Sequence, residues 1–429
     1  MKRLKVLVFA IMVLMVFSSG AYADIVYSAT ENYNSASIGT IAGRGYQVSK
    51  DQVTALGGDT QIFSFKDYKG DEKVLIRETN GPADDAVSIY TPGQWREPDN
   101  KGVTGLGANI YGVAVVEQYL YFVTFLRYEG GVEDSGQVIR IDMANGYRRD
   151  DDKTFDLPSS VESDRHTMGV SIKAWNNKIY VVTAVRDGSY NWYPGEVIEF
   201  DKDLQPTQQT VPIGSNAGAM TDSAFLYEGK LYIGCAGSTL GTEPEAAGYW
   251  EVDLATMKSK RIIDLNDDSH LLDKPYSGSG VAITPEGTAF LMLTNFDAGY
   301  SAKLYVTSVS EMIGGSIGEE VSQFPDRKGY SASVFYDNNT ETLWCAVGTD
   351  LEARAKDGSP LRTFKPIDLG NDIYSVAVVK SAGSGGGGGE SGGGGCDSGF
   401  LGGFGLLALL AFCASRVLRV SSKCRGNLN

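Results

Sequence analysis

Residues 169–185 read GVSIKAWNNKIYVVTAV, two apolar segments on either side of the polar pair Asn176-Asn177. A polar pair of this kind between segments rich in β-branched and aromatic residues is typical of a tight turn between antiparallel strands. The same arrangement recurs four times, as YGVAVVEQYLYFVTFL from Tyr111, SAFLYEGKLYIGCAG from Ser223, GVAITPEGTAFLMLTNF from Gly280 and SASVFYDNNTETLWCAVG from Ser331. The chain is therefore predicted to consist of repeated strand hairpins.

The spacing of these hairpins predicts the fold. Their second-strand aromatic residues lie 59, 52, 58 and 54 residues apart, at Tyr121, Tyr180, Tyr232, Phe290 and Trp344. Each hairpin is followed by a third strand, such as GQVIRIDM or GEVIEFD. A period of about 50 residues with three or four strands per unit is typical of a β-propeller. We therefore expect an all-β protein whose sheets are apolar on both faces because each is covered by its neighbours.

The two ends of the repeat region determine the number of blades. One further unit begins at Thr60, whereas residues 24–42 supply only outer strands. The missing inner strand is found at residues 373–379, IYSVAVV, which nearly repeat IYGVAVV at residues 110–116. We expect this last strand to pair with the N-terminal strands, which completes a split blade and removes a free sheet edge. The sequence thus predicts a seven-bladed β-propeller, with six or eight blades as the alternatives.

One unit resembles a known class of propeller. Residues 280–290, GVAITPEGTAF, are similar to the strand-turn-strand of NHL and related YVTN-type propellers. The resemblance covers a few residues per blade and implies the fold alone, because no functional residue is carried by it.

The N-terminus has the pattern of a signal peptide, predicted at residues 1–23. Three basic residues precede an apolar run at residues 6–17, and the small residues of Ala21-Tyr22-Ala23 follow. This order predicts cleavage between Ala23 and Asp24, with an uncleaved membrane anchor as the alternative. The propeller is then expected to span residues 24–380.

The C-terminus has the pattern of a tether and an anchor. A Gly/Ser-rich linker at residues 381–395 leads to a segment at residues 396–429 that contains Cys396, an apolar run at 400–414 and a basic tail. Because the basic residues follow the apolar run, the tail is expected in the cytoplasm and the propeller outside. We expect an exported protein anchored to the cell envelope by its C-terminus, with the membrane as a partner.

Residues 392–400, GGGGCDSGF, together with the apolar helix and basic tail, resemble the Synergist-type C-terminal sorting domain of exported bacterial proteins. The resemblance implies that a membrane-embedded sorting protease processes this segment and that Cys396 is the processing or attachment residue. A plain single-span anchor with an incidental Cys396 is the alternative.

Composition excludes several classes of partner and site. The chain has a formal net charge of −15 although both ends are basic, so the propeller is a poor partner for nucleic acid. Of five cysteines only Cys235 and Cys345 lie in the propeller, both in apolar strands, which predicts buried thiols rather than a disulfide framework.

Motifs for metals, cofactors and catalysis are absent from the sequence. The two histidines, His166 and His270, have no second ligand at zinc spacing, and no phosphate-binding glycine loop or nucleophile elbow occurs. The acidic runs at residues 150–152 and 267–268 do not match an EF-hand loop. We expect no metal and no cofactor, with loop-bound calcium as the alternative.

The geometry of a propeller indicates where a ligand would bind. Loops that enter the innermost strands and loops that leave the second strands open on one face, around the central channel. Tyrosine and arginine are common binding anchors, and side chains of these types converge there from several blades. The candidate ligand-binding residues are Tyr111, Arg127, His166, Arg186, Asp187, Tyr276, Asn295, Asp297, Tyr330 and Tyr374. The alternative is that they only line the channel and its turns.

The sequence therefore favours a binding or interaction module for a glycan or protein ligand, without an obvious nucleophile on the binding face. One alternative is a polysaccharide-active hydrolase or lyase, which needs two carboxylates about 5–10 Å apart, one with a raised pKa. The other is a structural envelope protein without a ligand.

Overall fold

The computed structural model describes most of the chain between residues 23 and 380. The described residues are 23–31, 34–42, 45–58, 60–78, 86–103, 108–129, 132–160, 164–189, 191–217, 224–237, 247–265, 277–295, 301–324, 332–338, 340–347 and 350–380. The predicted signal peptide apart from Ala23, the predicted linker and the C-terminal segment with Cys396 lie outside them.

The described strands form seven antiparallel sheets, each numbered here as one blade. Blade 1 contains β1 (Ala23–Glu31), β2 (Ser35–Ala42), β3 (Gln47–Leu56) and β30 (Asp372–Lys380). Blade 2 contains β4 (Gln61–Lys66), β5 (Glu72–Glu78), β6 (Ala86–Tyr90) and β7 (Asn100–Val103). Blade 3 contains β8 (Ala108–Val116), β9 (Tyr119–Glu129), β10 (Val132–Ser135), β11 (Gln137–Asp142) and β12 (Arg148–Asp156). Blade 4 contains β13 (Ser159–Ser160), β14 (Arg165–Trp175), β15 (Lys178–Asp187), β16 (Trp192–Phe200) and β17 (Pro206–Ser215).

In the remaining three blades the strands follow one another in chain order from the innermost strand outward. Blade 5 contains β18 (Ala224–Tyr227), β19 (Lys230–Cys235), β20 (Gly248–Asp253) and β21 (Lys258–Asp264). Blade 6 contains β22 (Ser277–Ile283), β23 (Thr288–Asn295), β24 (Ser301–Ser308) and β25 (Glu319–Phe324). Blade 7 contains β26 (Ala332–Asp337), β27 (Thr342–Val347), β28 (Asp350–Arg354) and β29 (Pro360–Phe364). The expected all-β, seven-bladed β-propeller is confirmed.

The last strand closes the ring as expected. Strand β30 pairs with β1 from Ala23↔Lys380 to Thr30↔Asp372, so the innermost strand of blade 1 comes from the far end of the chain. The Ser375 amide donates to the Ser28 hydroxyl (3.0 Å), which itself donates to the carbonyl oxygen of Thr60 (2.8 Å). These bonds join both halves of blade 1 to the start of blade 2.

The hairpin turns have the backbone conformations that their residues favour. Asn176 and Asn177 both have positive φ, 49° and 58°, and Glu228 and Gly229 have φ of 49° and 75°. Two successive residues with positive φ define the tight turns that match the twist of antiparallel strands. The sequence signal at residues 176–177 therefore identified a turn correctly.

Glycine is required where the third strand of a blade begins. A Cβ atom added at Gly195 would lie 2.0 Å from the carbonyl oxygen of Thr183. The Thr183 hydroxyl also accepts a hydrogen bond from the amide of Glu196 (2.9 Å) and donates one to its carbonyl oxygen (3.0 Å). Strands β15 and β16 thus approach closely at this point, near the irregular pairing between Val182 and Val185.

The hydrophobic core is divided among the spaces between blades. One cluster, for example, joins Val182 and Val197 of blade 4 to Leu231 and Ile233 of blade 5. Both faces of these sheets are buried, which explains why their strands are apolar on both faces. Cys235 belongs to this cluster as a buried free thiol, and burial raises its pKa.

Blades 4 and 5 repeat an ion pair at the same position, in which the glutamate is less exposed than the lysine. Lys178 Nζ lies 2.8 Å from Glu199 Oε1, and Lys230 Nζ lies 2.9 Å from Glu251 Oε1. In both blades the lysine begins the second strand and the glutamate lies on the third, 21 residues later. The Glu199 side chain is only 1% exposed, so the lysine compensates a carboxylate that water cannot solvate.

Blade 3 reverses the charge at this position. Arg140 stands where blades 4 and 5 have glutamate, and its guanidinium lies 4.1 Å from the ring centre of Tyr119, which replaces the lysine. Arg140 Nη1 donates to the carbonyl oxygen of Lys202 and to Asp203, both at 2.9 Å, and Nη2 binds Asp150. Blade 3 therefore keeps an ion pair within the blade, between Arg140 and Asp150, and adds a link to blade 4.

Helical structure is minor in the described part of the chain. It consists of α1 (Val309–Ile313) and α2 (Pro366–Leu369). A capping box between Ser308 and Glu311 begins α1. Within the described ranges there is no helix with the length and apolar character needed to cross a membrane.

Candidate functional site

The candidate site lies on the face of the propeller where the innermost strands begin, called here the mouth face. Strand β14 begins at Arg165, which pairs with Asp187 at the end of β15. Strand β8 begins at Ala108, which pairs with Leu126 near the end of β9. The starts of innermost strands and the ends of second strands therefore share one face, as expected for a propeller.

Two predicted tyrosines occupy equivalent positions on this side of the innermost strands. The pairing register of β8 skips Tyr111, and that of β30 skips Tyr374, so each is the extra residue of a β-bulge. Both side chains are half-buried. The Tyr111 ring lies 4.8 Å from that of Phe125, between centres, at an angle of 31°. A bulge re-aims a side chain, which is why bulges are common at functional sites.

Five predicted site residues have side chains outside the described part of the structure. Tyr276, Asp297 and Tyr330 lie outside the described residues. Arg127 and Asn295 lie in β9 and near the end of β23, but their side chains are not described. Their assignment to a binding site stays a prediction.

Blade 4 brings three predicted residues together. His166 on β14 pairs with Arg186 on β15, and Asp187 is the next residue along β15. Arg186 is 5% exposed, whereas His166 and Asp187 are half-buried. These three, with Arg165 and Tyr193, are called the blade-4 cluster.

Asp187 is held by four hydrogen bonds. Its Oδ1 accepts from the amides of Ser189 and Asn191, both at 2.9 Å, and its Oδ2 accepts from the Asn191 side chain (2.9 Å) and the Tyr193 hydroxyl (3.0 Å). The bonds from Asn191, together with those from Tyr193 and Ser189, lower the pKa of Asp187 to about 2. This carboxylate is therefore a poor general base and an effective support for the loop between β15 and β16.

The exposed element of the cluster was not predicted from the sequence. The Arg165 guanidinium stacks over the Tyr193 ring, 3.6 Å from its centre. Because the Tyr193 hydroxyl donates a hydrogen bond to Asp187, the ring is fixed beneath the arginine. Arg165 itself is exposed. Two features of the sequence could have indicated this element. One is the Trp192-Tyr193 pair that follows the turn, and the other is the arginine that precedes His166.

His166 adds a polar atom without a partner. Its Nε2 lies 3.8 Å from the exposed carboxylate of Asp164, and its buried Nδ1 has no hydrogen-bond partner. A buried polar atom normally finds a partner in the protein or in water. His166 is therefore the residue of the cluster with unused hydrogen-bonding capacity.

Two of the described acidic residues are bound to basic side chains. Asp350, at the start of β28, is buried and forms an ion pair with Lys365. Asp150 lies in strand β12, not in a loop, and binds Arg140. Within the described ranges no group of three or more potential metal ligands occurs. The alternative of loop-bound calcium stays a prediction, because residues 267–268 are not described.

Comparisons with known proteins bear on the fold. No protein-family model and no curated protein matches the sequence. The structure is similar to the periplasmic gluconolactonase PpgL of Pseudomonas aeruginosa, with a TM-score of 0.53 and 9% identity over 84% of this chain and 99% of the other. The Pan2 WD40 domain of Neurospora crassa gives a TM-score of 0.44 and 11% identity over 76% and 86% of the two chains. At such identities the likeness to the gluconolactonase shows the fold alone.

Proposed function

We propose that this protein is an exported, envelope-anchored propeller that binds a glycan or protein ligand through its mouth face. The observation that carries the proposal is the Arg165–Tyr193–Asp187 arrangement. An exposed guanidinium held on a hydrogen-bonded tyrosine is ordered before a ligand arrives, so little side-chain entropy is lost on binding. Arginine and tyrosine are also the residue types that most often anchor interfaces.

The path of the chain supports a tether that leaves the mouth face free. Strand β30 begins at Asp372 on the mouth face and ends at Lys380 on the opposite face. The predicted linker starts there, so it does not leave the ring through the proposed binding surface. Predicted cleavage before Asp24 also keeps most of β1, since Asp24 pairs with Val379.

The proposed anchoring rests on the terminal sequences. The signal peptide, the glycine run before Cys396 and the basic tail support export, a membrane attachment and a sorting protease as partner. Mass spectrometry of the C-terminus of the native protein tests this, with an end near the glycine run as the expected result. An intact C-terminus at Asn429 in envelope fractions would leave only the plain anchor.

Ligand binding is tested with the purified full-length protein on a glycan array and with immobilised envelope proteins. We expect Arg165→Ala and Tyr193→Ala to lower binding at least tenfold. Arg148→Ala removes the same charge from the outer strand β12 and is the matched control. Equal binding by all three variants would refute the proposed surface, and turnover of a polysaccharide by the wild type would favour the hydrolase or lyase.

A further inference from the structure

A second candidate site lies between blades 7 and 1, on the face opposite the mouth face. A cavity of about 430 Å³ opens there between the turn from β26 to β27, the turn from β28 to β29, and the ends of β2 and β3. This volume is within the range of about 300–1,000 Å³ that small-molecule sites occupy. The lining residues used below are Tyr46, Asp337, Thr340, Glu341, Thr342, Trp344, Lys356 and Leu361.

An aromatic cluster forms one wall of this cavity. The Trp344 ring stacks on Phe364 with 6.0 Å between centres, and the Tyr46 ring meets it edge-on at 5.8 Å. Trp344 is only 3% exposed, and its indole Nε1 has no hydrogen-bond partner. Buried indole N–H groups usually have an acceptor, so this wall has one donor that the chain leaves unused.

The rim beside this wall is polar. The Thr340 hydroxyl donates to the buried carboxylate of Asp337, and the Thr342 hydroxyl donates to the carbonyl oxygen of Thr340 (3.3 Å). Glu341 and Lys356 are exposed. The rim thus carries two carboxylates and one ammonium group, a balance that disfavours an anionic ligand.

The aromatic wall and the polar rim of the cavity together fit a sugar as the ligand. A sugar ring has an apolar C–H face that packs on aromatic side chains, and hydroxyl groups that both donate and accept hydrogen bonds. Its hydroxyl groups match the threonine and carboxylate oxygens, and one of them can accept from the indole. An aliphatic ligand would leave the rim groups unpaired.

We propose that this cavity binds a neutral saccharide of one or two sugar units. The site is separate from the mouth face. It lies on the opposite face of the propeller, where β30 ends and the second strands of the blades begin. It does not depend on the function proposed for the blade-4 cluster.

The test is isothermal titration of the purified full-length protein with cellobiose, maltose and diacetylchitobiose, with glucose 6-phosphate as the anionic comparison. At least one neutral disaccharide should bind. Trp344→Phe keeps an aromatic ring at this position and removes the N–H donor, so it should weaken that binding about five- to tenfold. Trp175→Phe, a half-buried tryptophan of blade 4, is the matched control and should have no effect.

A second variant covers the case in which Trp344→Phe unfolds. Leu361 is 53% exposed at the opening of the cavity, so Leu361→Trp should fold normally and abolish binding by filling this opening. The proposal is overturned if no neutral disaccharide binds, if glucose 6-phosphate binds more tightly, or if Leu361→Trp binds normally.

Discussion

Removal of strand β30 should open the ring, and the cost can be worked out from the buried side chains. Ile373, Val376 and Val379 are 5%, 7% and 1% exposed. Burial of each such side chain stabilises by about 1.5–3 kcal/mol, so the three together contribute roughly 5–9 kcal/mol as an upper bound. This is comparable to the whole stability of a typical domain, about 5–15 kcal/mol. The loss also exposes β1 as an unpaired edge.

The experiment compares two shortened chains. A chain that ends at Asn371 lacks β30, and a chain that ends at Lys380 lacks only the linker and the C-terminal segment. We expect the Lys380 chain to melt cooperatively by circular dichroism and the Asn371 chain to be insoluble or without a transition. Val379→Ala should lower stability by about 2 kcal/mol in the longer chain. If the Asn371 chain melted within about 2 °C of the Lys380 chain, closure by the last strand would not stabilise the ring.

Three further variants test other parts of the fold. Burial tends to raise the pKa of Glu199, but hydrogen bonds, first from Lys178, lower this pKa overall. The contribution of Glu199 to stability is therefore present above about pH 4.3, the pKa of an unfolded glutamate, and is lost as pH falls through the folded-state pKa. Glu199→Gln should make the melting temperature less dependent on pH on the acid side. Gly195→Ala should destabilise by about 1–3 kcal/mol through its contact with a carbonyl oxygen, whereas Gly45→Ala, with no atom within 4 Å, should be neutral in the same thermal melts. Tyr249→Phe removes the buried hydroxyl that donates to the carbonyl oxygens of Met292 (2.7 Å) and Gly280 (3.3 Å) in blade 6, and it should cost about 1–3 kcal/mol by urea unfolding. An unchanged midpoint would contradict the contribution of these hydrogen bonds.

The fold could be predicted because its signals are local or repeated. The turn at Asn176-Asn177 follows from the residues themselves, and the number of blades follows from the spacing of aromatic residues. The closure by β30 was also predictable, since residues 373–379 nearly repeat residues 110–116. Even the half-buried tyrosines share this repeat, because Tyr111 and Tyr374 occupy its same position.

The sites could be predicted only in part because they depend on contacts between distant or aperiodic segments. His166, Arg186 and Asp187 were expected on the mouth face, and the paired ends of β14 and β15 that carry them lie there. The stack of Arg165 on Tyr193, however, depends on the conformation of the loop that Asp187 supports. No periodic pattern encodes that conformation.

The cavity between blades 7 and 1 was not predicted at all. It joins Tyr46 to Trp344, nearly three hundred residues away in sequence, and forms only once the ring has closed. Residues such as Leu361 on its rim are unremarkable in the sequence, since their role depends on the neighbouring blade.

The reversed charge at Arg140 has a consequence for how the ring assembles. Blades of a repeat protein are similar enough that one could dock in the place of another, either within a chain or between two chains. Arg140 of blade 3 bonds to Asp203 and to the carbonyl oxygen of Lys202 in blade 4. Beside a second copy of blade 3, Arg140 would lack these partners. The contacts of Arg140 therefore favour blade 4 as the neighbour of blade 3, and we expect them to disfavour swapped or shuffled rings during folding.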